Sequence, residues 1–166
     1  PDEVSIDDLA RAPGKRVPWT GVRNYQARNY MRDQMHVGDG VLFYHSSCAE
    51  PGVAGIASVC SKPYPDATQF DRKSTYFDPK ATAETPRWLH VDVKLVKKTR
   101  LLPLREMRER PDLASMWLLR RGNRLVALDR TGNFGVRVVQ ADQPVSGGAL
   151  RLEEARLVEA PVELLR

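Results

Sequence analysis

RWLHVDVKLVKKT (87–99) alternates: Trp88, His90, Asp92 and Lys94 fall on one side, Leu89, Val91, Val93 and Leu95 on the other. A period of two sustained over eight residues predicts a half-buried β-strand. Upstream, VLFYHS (41–46) has the composition of a buried strand, and VAGIASVCS (53–61) reads as a second one softened by glycine and alanine. Gly55 inside it predicts close approach by another backbone or by a ligand. Val37-Gly38-Asp39-Gly40 and Pro51-Gly52 are turns. Between the strands, KPYPDATQFDRKSTYFDPKATAETP (62–86) is polar, proline-bearing and aromatic; ordered loops of this length are often functional. Near the start, SIDDLA predicts a short helix capped by Ser5, with Asp7 and Asp8 in the first turn. Gly14 and Pro18 enclose a loop, and residues 24–32 read as a helix. Downstream, LPLREMRER and PDLASMWLLRRG suggest two short helices, with Gly122 as a stop. RLVALD (124–129), FGVRVVQ (134–140) and ALRLEEARLVEA (149–160) are strand-like. The sum is a strand-dominated α+β domain, a curved sheet or small barrel with peripheral helices.

The 166 residues suit a single domain, 1–166, and 42% hydrophobic with 28% charged content is ordinary for a globular protein. No apolar run reaches the eighteen or so residues of a membrane span, and PDEVSIDDLA does not read as a secretory signal. The expected location is cytoplasmic, or nuclear in a eukaryote. Cys48 and Cys60 are too few for a disulfide framework or a zinc site. The net charge of +5 is unevenly placed: residues 1–83 balance ten basic against ten acidic side chains, whereas 84–166 carry sixteen against eleven. Residues 94–124 hold ten basic and three acidic side chains. Such a segment attracts polyanions, nucleic acid first among them, though it also reads as a solvated face.

No HExxH, GxSxG, phosphate loop or GxGxxG is present. His45 and Cys48 are close in sequence, but strand alternation points them to opposite faces, against a nucleophilic pair. WTGVRNYQARNYMR (19–32) is different in kind: three aromatics, three arginines, two asparagines and a glutamine, with little aliphatic bulk. Amide side chains present a paired donor and acceptor that suits a nucleobase edge, and Trp and Tyr rings suit its flat face. The same polar groups also suit helix capping and loop anchoring.

These motifs occur in an order that resembles the EVE domain family of the PUA-like fold group: W-x-GVRNYQARN-x-MR, VGDGVLFYHSS (37–47), PGVAGIASV (51–59), YPDATQFD (64–71), YFDPKA (76–81), PRWLHVDV (86–93) and RGNRL (121–125). The resemblance covers about residues 1–125. It implies a PUA-like β-barrel of about five to seven strands with flanking short helices. It further implies a non-enzymatic nucleic-acid-binding domain that takes a modified base, a modified cytosine in DNA such as a 5-methylcytosine derivative, flipped into an aromatic and amide-lined pocket. The alternatives are an RNA-binding module acting on modified RNA, and, less favoured, a small nucleobase or nucleotide hydrolase. No cofactor, metal or catalytic residue is implied; a monomer is expected.

Carried onto this sequence, the resemblance implies Trp19 as a stacking wall and Arg23, Asn24 and Gln26 as polar contacts at the helix entry. Tyr44, His45 and Ser46 would close the floor, and Gly52 and Gly55 would allow close approach. Tyr64, Asp66 and Tyr76 would come from the long loop, with Arg87 and the 94–124 segment on phosphates. Tyr64 and Tyr76 also read as loop anchors, and Arg23 as a salt-bridge partner. The family pattern opens with a strand of the type YWLxKSEP before the proline matched by Pro1. That strand is not in this sequence, which predicts an uncovered sheet edge. The tail, 126–166, does not follow the family pattern.

Overall fold

A capping box starts the first helix. The Ser5 hydroxyl accepts the Asp8 N–H at 3.1 Å, and the Asp8 carboxylate accepts the Ser5 N–H at 2.9 Å. Helix α1 (Ile6–Arg11) follows, with Asp7 and Asp8 in its first turn, as the sequence predicts; Ile6 and Leu9 are buried. The structure is a computed structural model that describes residues 4–46, 48–114, 119 and 126–128. The remaining elements are β1 (Arg16–Pro18), α2 (Tyr25–Asp33), β2 (Gly40–His45), β3 (Gly52–Val59), β4 (Tyr64–Pro65), β5 (Leu89–His90), β6 (Asp92–Pro103), α3 (Leu104–Arg108) and β7 (Val126–Leu128).

Five strands form an antiparallel sheet in the order β1-β6-β3-β2-β7, and β4 pairs with β5 separately. The fold is thus α+β, with seven described strands and short helices at the periphery. Among the described residues the sheet is open; it is not a closed barrel. β2 and β3 pair from Gly40↔Ser58 to His45↔Gly52, and β3 pairs with β6 from Gly52↔Pro103 to Val59↔Val93. The core beneath the sheet joins Ile6 and Leu9 of α1, Ala27 and Met31 of α2, Val41, Ala57, Val59, Val91 and Val93. Each large aliphatic fully buried this way contributes about 1.5–3 kcal/mol.

Two strand expectations are corrected. Residues 16–18 are not loop: β1 pairs antiparallel with residues 92–94 of β6. A three-residue strand ending in proline carries no periodic signal. Residues 87–99 are not half-buried throughout. Trp88, His90 and Asp92 are 6%, 3% and 7% exposed, as buried as Val91 and Val93 on the other side. The 62–86 segment covers that side, so the alternation there separates two buried faces. Exposure begins at Lys94, and a bulge then leaves Val96 63% exposed. Close approach at Gly55 is made by protein: an added Cβ would meet the Lys97 carbonyl oxygen at 2.7 Å and Ile6 at 2.9 Å. Of the PDLASMWLLRRG segment, Pro111–Leu113 forms a 3-10 turn. The Gly122 stop, the strands at 134–140 and 149–160 and the RGNRL motif lie outside the described residues.

Candidate nucleic-acid interface

Helix α2 starts where Asn24 turns its side chain back on the backbone: Oδ1 accepts the Ala27 N–H at 3.1 Å. Ala27 and Met31, four apart, bury one face of the helix, while Gln26 and Arg32 stay exposed. The approach to the helix is fixed as firmly. The Trp19 N–H donates to the Val91 carbonyl at 2.9 Å, and its partly buried ring packs against the core. Gly21 has φ +83°, and an added Cβ would meet the Tyr76 ring at 2.7 Å. Both backbone conformation and space require glycine there.

Asp66 organises this region. It is fully buried, and its Oδ2 accepts the Gly21 N–H at 2.9 Å and Arg23 Nη1 at 2.8 Å. Its Oδ1 accepts the Thr68 N–H at 2.9 Å and the Thr68 hydroxyl at 2.6 Å. Burial pushes the carboxyl up, but His90, Thr68, Arg23 and Gly21 around it outweigh burial and hold it well below the usual carboxylate range. Arg23 spends its other donors on Thr68 Oγ1 at 2.8 Å and on the Tyr76 carbonyl. Its guanidinium lies 5.3 Å from the Tyr76 ring centre and 5.6 Å from that of Trp88. Arg23 and Asp66 therefore bind the 62–86 segment to the entry of α2, the salt-bridge reading that the sequence also allowed.

Behind them Trp88 stacks on Tyr25 with centroids 4.8 Å apart, and its Nε1 donates to Asp78 at 2.7 Å. Arg87 pairs with Asp78 at 3.2 Å and donates to the Tyr25 hydroxyl. Arg28 lies 5.0 Å from the Tyr25 ring centre and donates to the Arg87 carbonyl at 2.6 Å. Sequence reasoning did not single out Tyr25, Trp88, Asp78 or Arg28. The Tyr25–Arg28 spacing on a helix is a local signal, but the pairing with Arg87 and Trp88 exists only in three dimensions. Tyr64 donates its hydroxyl to Asp92 at 2.6 Å; burial, and then this bond beside the Asp92 charge, push the phenol up to about 12. It meets His90 edge-on at 4.1 Å. His90 Nδ1 is 3.7 Å from Asp66, within ion-pair reach but too far for a hydrogen bond, and neither ring nitrogen has a hydrogen-bond partner among the described residues.

The structure thus gathers Trp19, Arg23, Asn24, Gln26, Tyr64, Asp66, Tyr76 and Arg87 around the start of α2 and the 62–86 segment. Tyr44, His45, Ser46 and Gly52 sit instead where β2 and β3 meet. There His45 Nε2 accepts the Ile6 N–H at 3.0 Å, which ties α1 to the sheet. Gly52 is approached by backbone: an added Cβ would meet Pro103 Cα at 2.9 Å. Among the described residues, no helix is long and apolar enough to cross a membrane, and no three of His, Cys, Asp and Glu are grouped to hold a metal ion.

The EVE domain family matches residues 1–139. Thymocyte nuclear protein 1 of Gallus gallus is 47% identical over 107 residues, which cover 64% of this chain and 44% of that protein. The chain spans less than half the length of the first such curated relatives. Among solved structures, a hypothetical protein from Leishmania major superimposes with TM-score 0.71 at 48% identity, covering 79% of this chain and 83% of that one. Human THYN1, solved in complex with 5-methylcytosine containing DNA, superimposes with TM-score 0.70 at 36% identity, covering 77% and 81%. A family match over most of the chain, carried through the same fold, makes this chain a member of the EVE domain family.

Proposed function

We propose that the chain is a non-enzymatic DNA-binding domain, folded as one unit, that reads a modified cytosine flipped out of its stack. The observation that carries this reading is the likeness to human THYN1, whose structure holds 5-methylcytosine containing DNA. The local arrangement suits it. Trp19 offers a partly buried ring, and Gln26 an exposed amide with no hydrogen-bond partner among the described residues. Asn24, Arg23 and Asp66 are engaged within the protein, so they position the wall. Trp19 then stacks on the base and Gln26 reads its edge. Flipping costs a few kcal/mol, and stacking returns about 1–3 kcal/mol per base. Such a protein works wherever its DNA is, in the nucleus of a eukaryote or the cytoplasm of a bacterium.

Short oligonucleotides that differ at one cytosine (unmodified, methyl, hydroxymethyl, formyl, carboxyl), in DNA and in RNA, test the reading. Preference for one modified base in DNA is expected. Trp19→Ala is expected to lower that preference tenfold or more at a temperature where the variant is still folded; its melting temperature is expected to fall as well, because the ring also packs against the core. A preference that appears only with RNA selects the RNA-binding alternative. Equal, salt-abolished binding across the panel would leave a basic surface and no reader.

A further inference from the structure

Three guanidinium groups crowd the Tyr25–Trp88 stack, and two are neutralised. Arg23 pairs with Asp66 at 2.8 Å and Arg87 with Asp78 at 3.2 Å. Arg28 is partly buried and makes no ion pair among the described residues. It is nevertheless held in place. Nη1 donates to the Arg87 carbonyl at 2.6 Å, Nε donates to Asn29 Oδ1 at 2.8 Å, and the group lies 5.0 Å from the Tyr25 ring centre. Nη2 has no partner among the described residues. Its hydrogen-bond partners are neutral, and Asp33, the carboxylate that feels its charge, is already paired with Arg32, so no carboxylate is bonded to the Arg28 guanidinium itself. A partly desolvated, immobilised cation is costly to keep unless an anion completes it. Its position adds the rest. Arg28 lies just over one turn, about 6 Å of helix axis, beyond Asn24, which caps the helix beside the proposed base wall.

We propose that Arg28 is a phosphate contact, engaging a backbone phosphate of the DNA strand that carries the modified base. It fixes the strand's register on α2 and does not read the base. This rests on the DNA-reading function above. Neighbouring Arg32, exposed and paired with Asp33 at 2.7 Å, is the built-in control.

The test is salt dependence. Binding of a short DNA probe with one 5-methylcytosine, and of its unmodified twin, is measured from low to moderate salt for the unaltered protein, Arg28→Gln and Arg32→Gln. Neutralising one phosphate contact makes the slope of log K against log salt shallower by about 0.7–0.9. That change is expected in Arg28→Gln and not in Arg32→Gln, with the ratio between the two probes unchanged. An unchanged slope in Arg28→Gln overturns the proposal. So does an equal change in Arg32→Gln, which would mean only a general basic field, and so does loss of the probe ratio, which would make Arg28 a base contact. Replacing probe phosphates singly with neutral methylphosphonate repeats the test on the unaltered protein. One linkage is expected to reproduce the slope change; equal effects at every linkage count against it. If the unaltered protein shows the slope change but no methyl preference, the base-reading function fails and the phosphate contact stands.

Discussion

Asp66 ties the entry of α2 to the 62–86 segment through a fully buried carboxylate. A buried charge is tolerable only when paired and hydrogen-bonded, and it has Arg23, Gly21 and two bonds from Thr68. Its depressed pKa has a direct consequence for stability. The unfolded carboxyl titrates near 3.8 and the folded one well below. The stabilisation is therefore complete above about pH 4 and is lost as pH falls below the unfolded value toward the folded one. Asp66→Asn is expected to destabilise the fold by about 3 kcal/mol at pH 7, since it leaves Arg23 without its counter-charge. It is also expected to flatten the acid limb of stability against pH. Chemical denaturation at pH 7 and pH 3 checks both; an acid limb of unaltered steepness would mean that other carboxylates govern it. Residue roles were the least legible part of the sequence. Asn24 and Arg23 are the right types for a base edge, yet the cap at Ala27 and the ion pair with Asp66 engage them. One amide or guanidinium serves either purpose, and only the positions of its partners separate them.

Elements were more legible, because their signals are local. Ser5 and the two aspartates announce α1, and Asn24 before Ala27 and Met31 announces α2. β1 escaped notice because its pairing with residues 92–94 is long-range and its own three residues have no period. The docking of α1 yields a prediction at this scale. The Ile6 N–H is one of the donors left over at a helix start, and His45 Nε2 accepts it. That bond requires an unprotonated nitrogen, and burial already lowers the His45 pKa from 6.5. Because the folded pKa lies below the unfolded one, stability is full above about pH 6.5 and declines as pH falls below it. The loss is expected to reach about 1 kcal/mol, the worth of the bond. His45→Gln, which keeps an acceptor but does not titrate, is expected to remove the decline between pH 7 and pH 5. A decline of equal size in that variant would place its origin elsewhere.

At the scale of the whole molecule, a segment with little regular structure covers one face of residues 88–92. Residues 62–86 read as a functional loop, and their length and polarity gave no hint that they cover the second face of residues 88–92. Gln69 explains how they do so. It is fully buried, and its Oε1 accepts the Arg87 N–H at 2.8 Å and the Trp88 N–H at 3.0 Å. Its Nε2 donates to the Asp66 carbonyl at 2.8 Å and the Trp88 carbonyl at 2.9 Å. All four hydrogen-bonding positions of the amide are filled, so the side chain replaces the ladder that a strand would have supplied. Backbone bonds from Asp66 to Trp88 and from Asp78 to Gln69, each 3.0 Å, complete the attachment. The segment should therefore open only with the sheet beneath it. Amide hydrogen exchange is expected to show Asp66, Asp78, Arg87 and Trp88 protected nearly as well as Val59 in β3, with exposed Arg72 and Glu84 exchanging freely. Gln69→Leu keeps the bulk and strands the Arg87 and Trp88 N–H groups, each at a cost of about 1–3 kcal/mol. Its exchange at those four amides is expected to accelerate far more than at Val59, since the covering segment would then open on its own. Uniform acceleration across all five would show instead that segment and sheet remain one cooperative unit, with Gln69 contributing only to global stability.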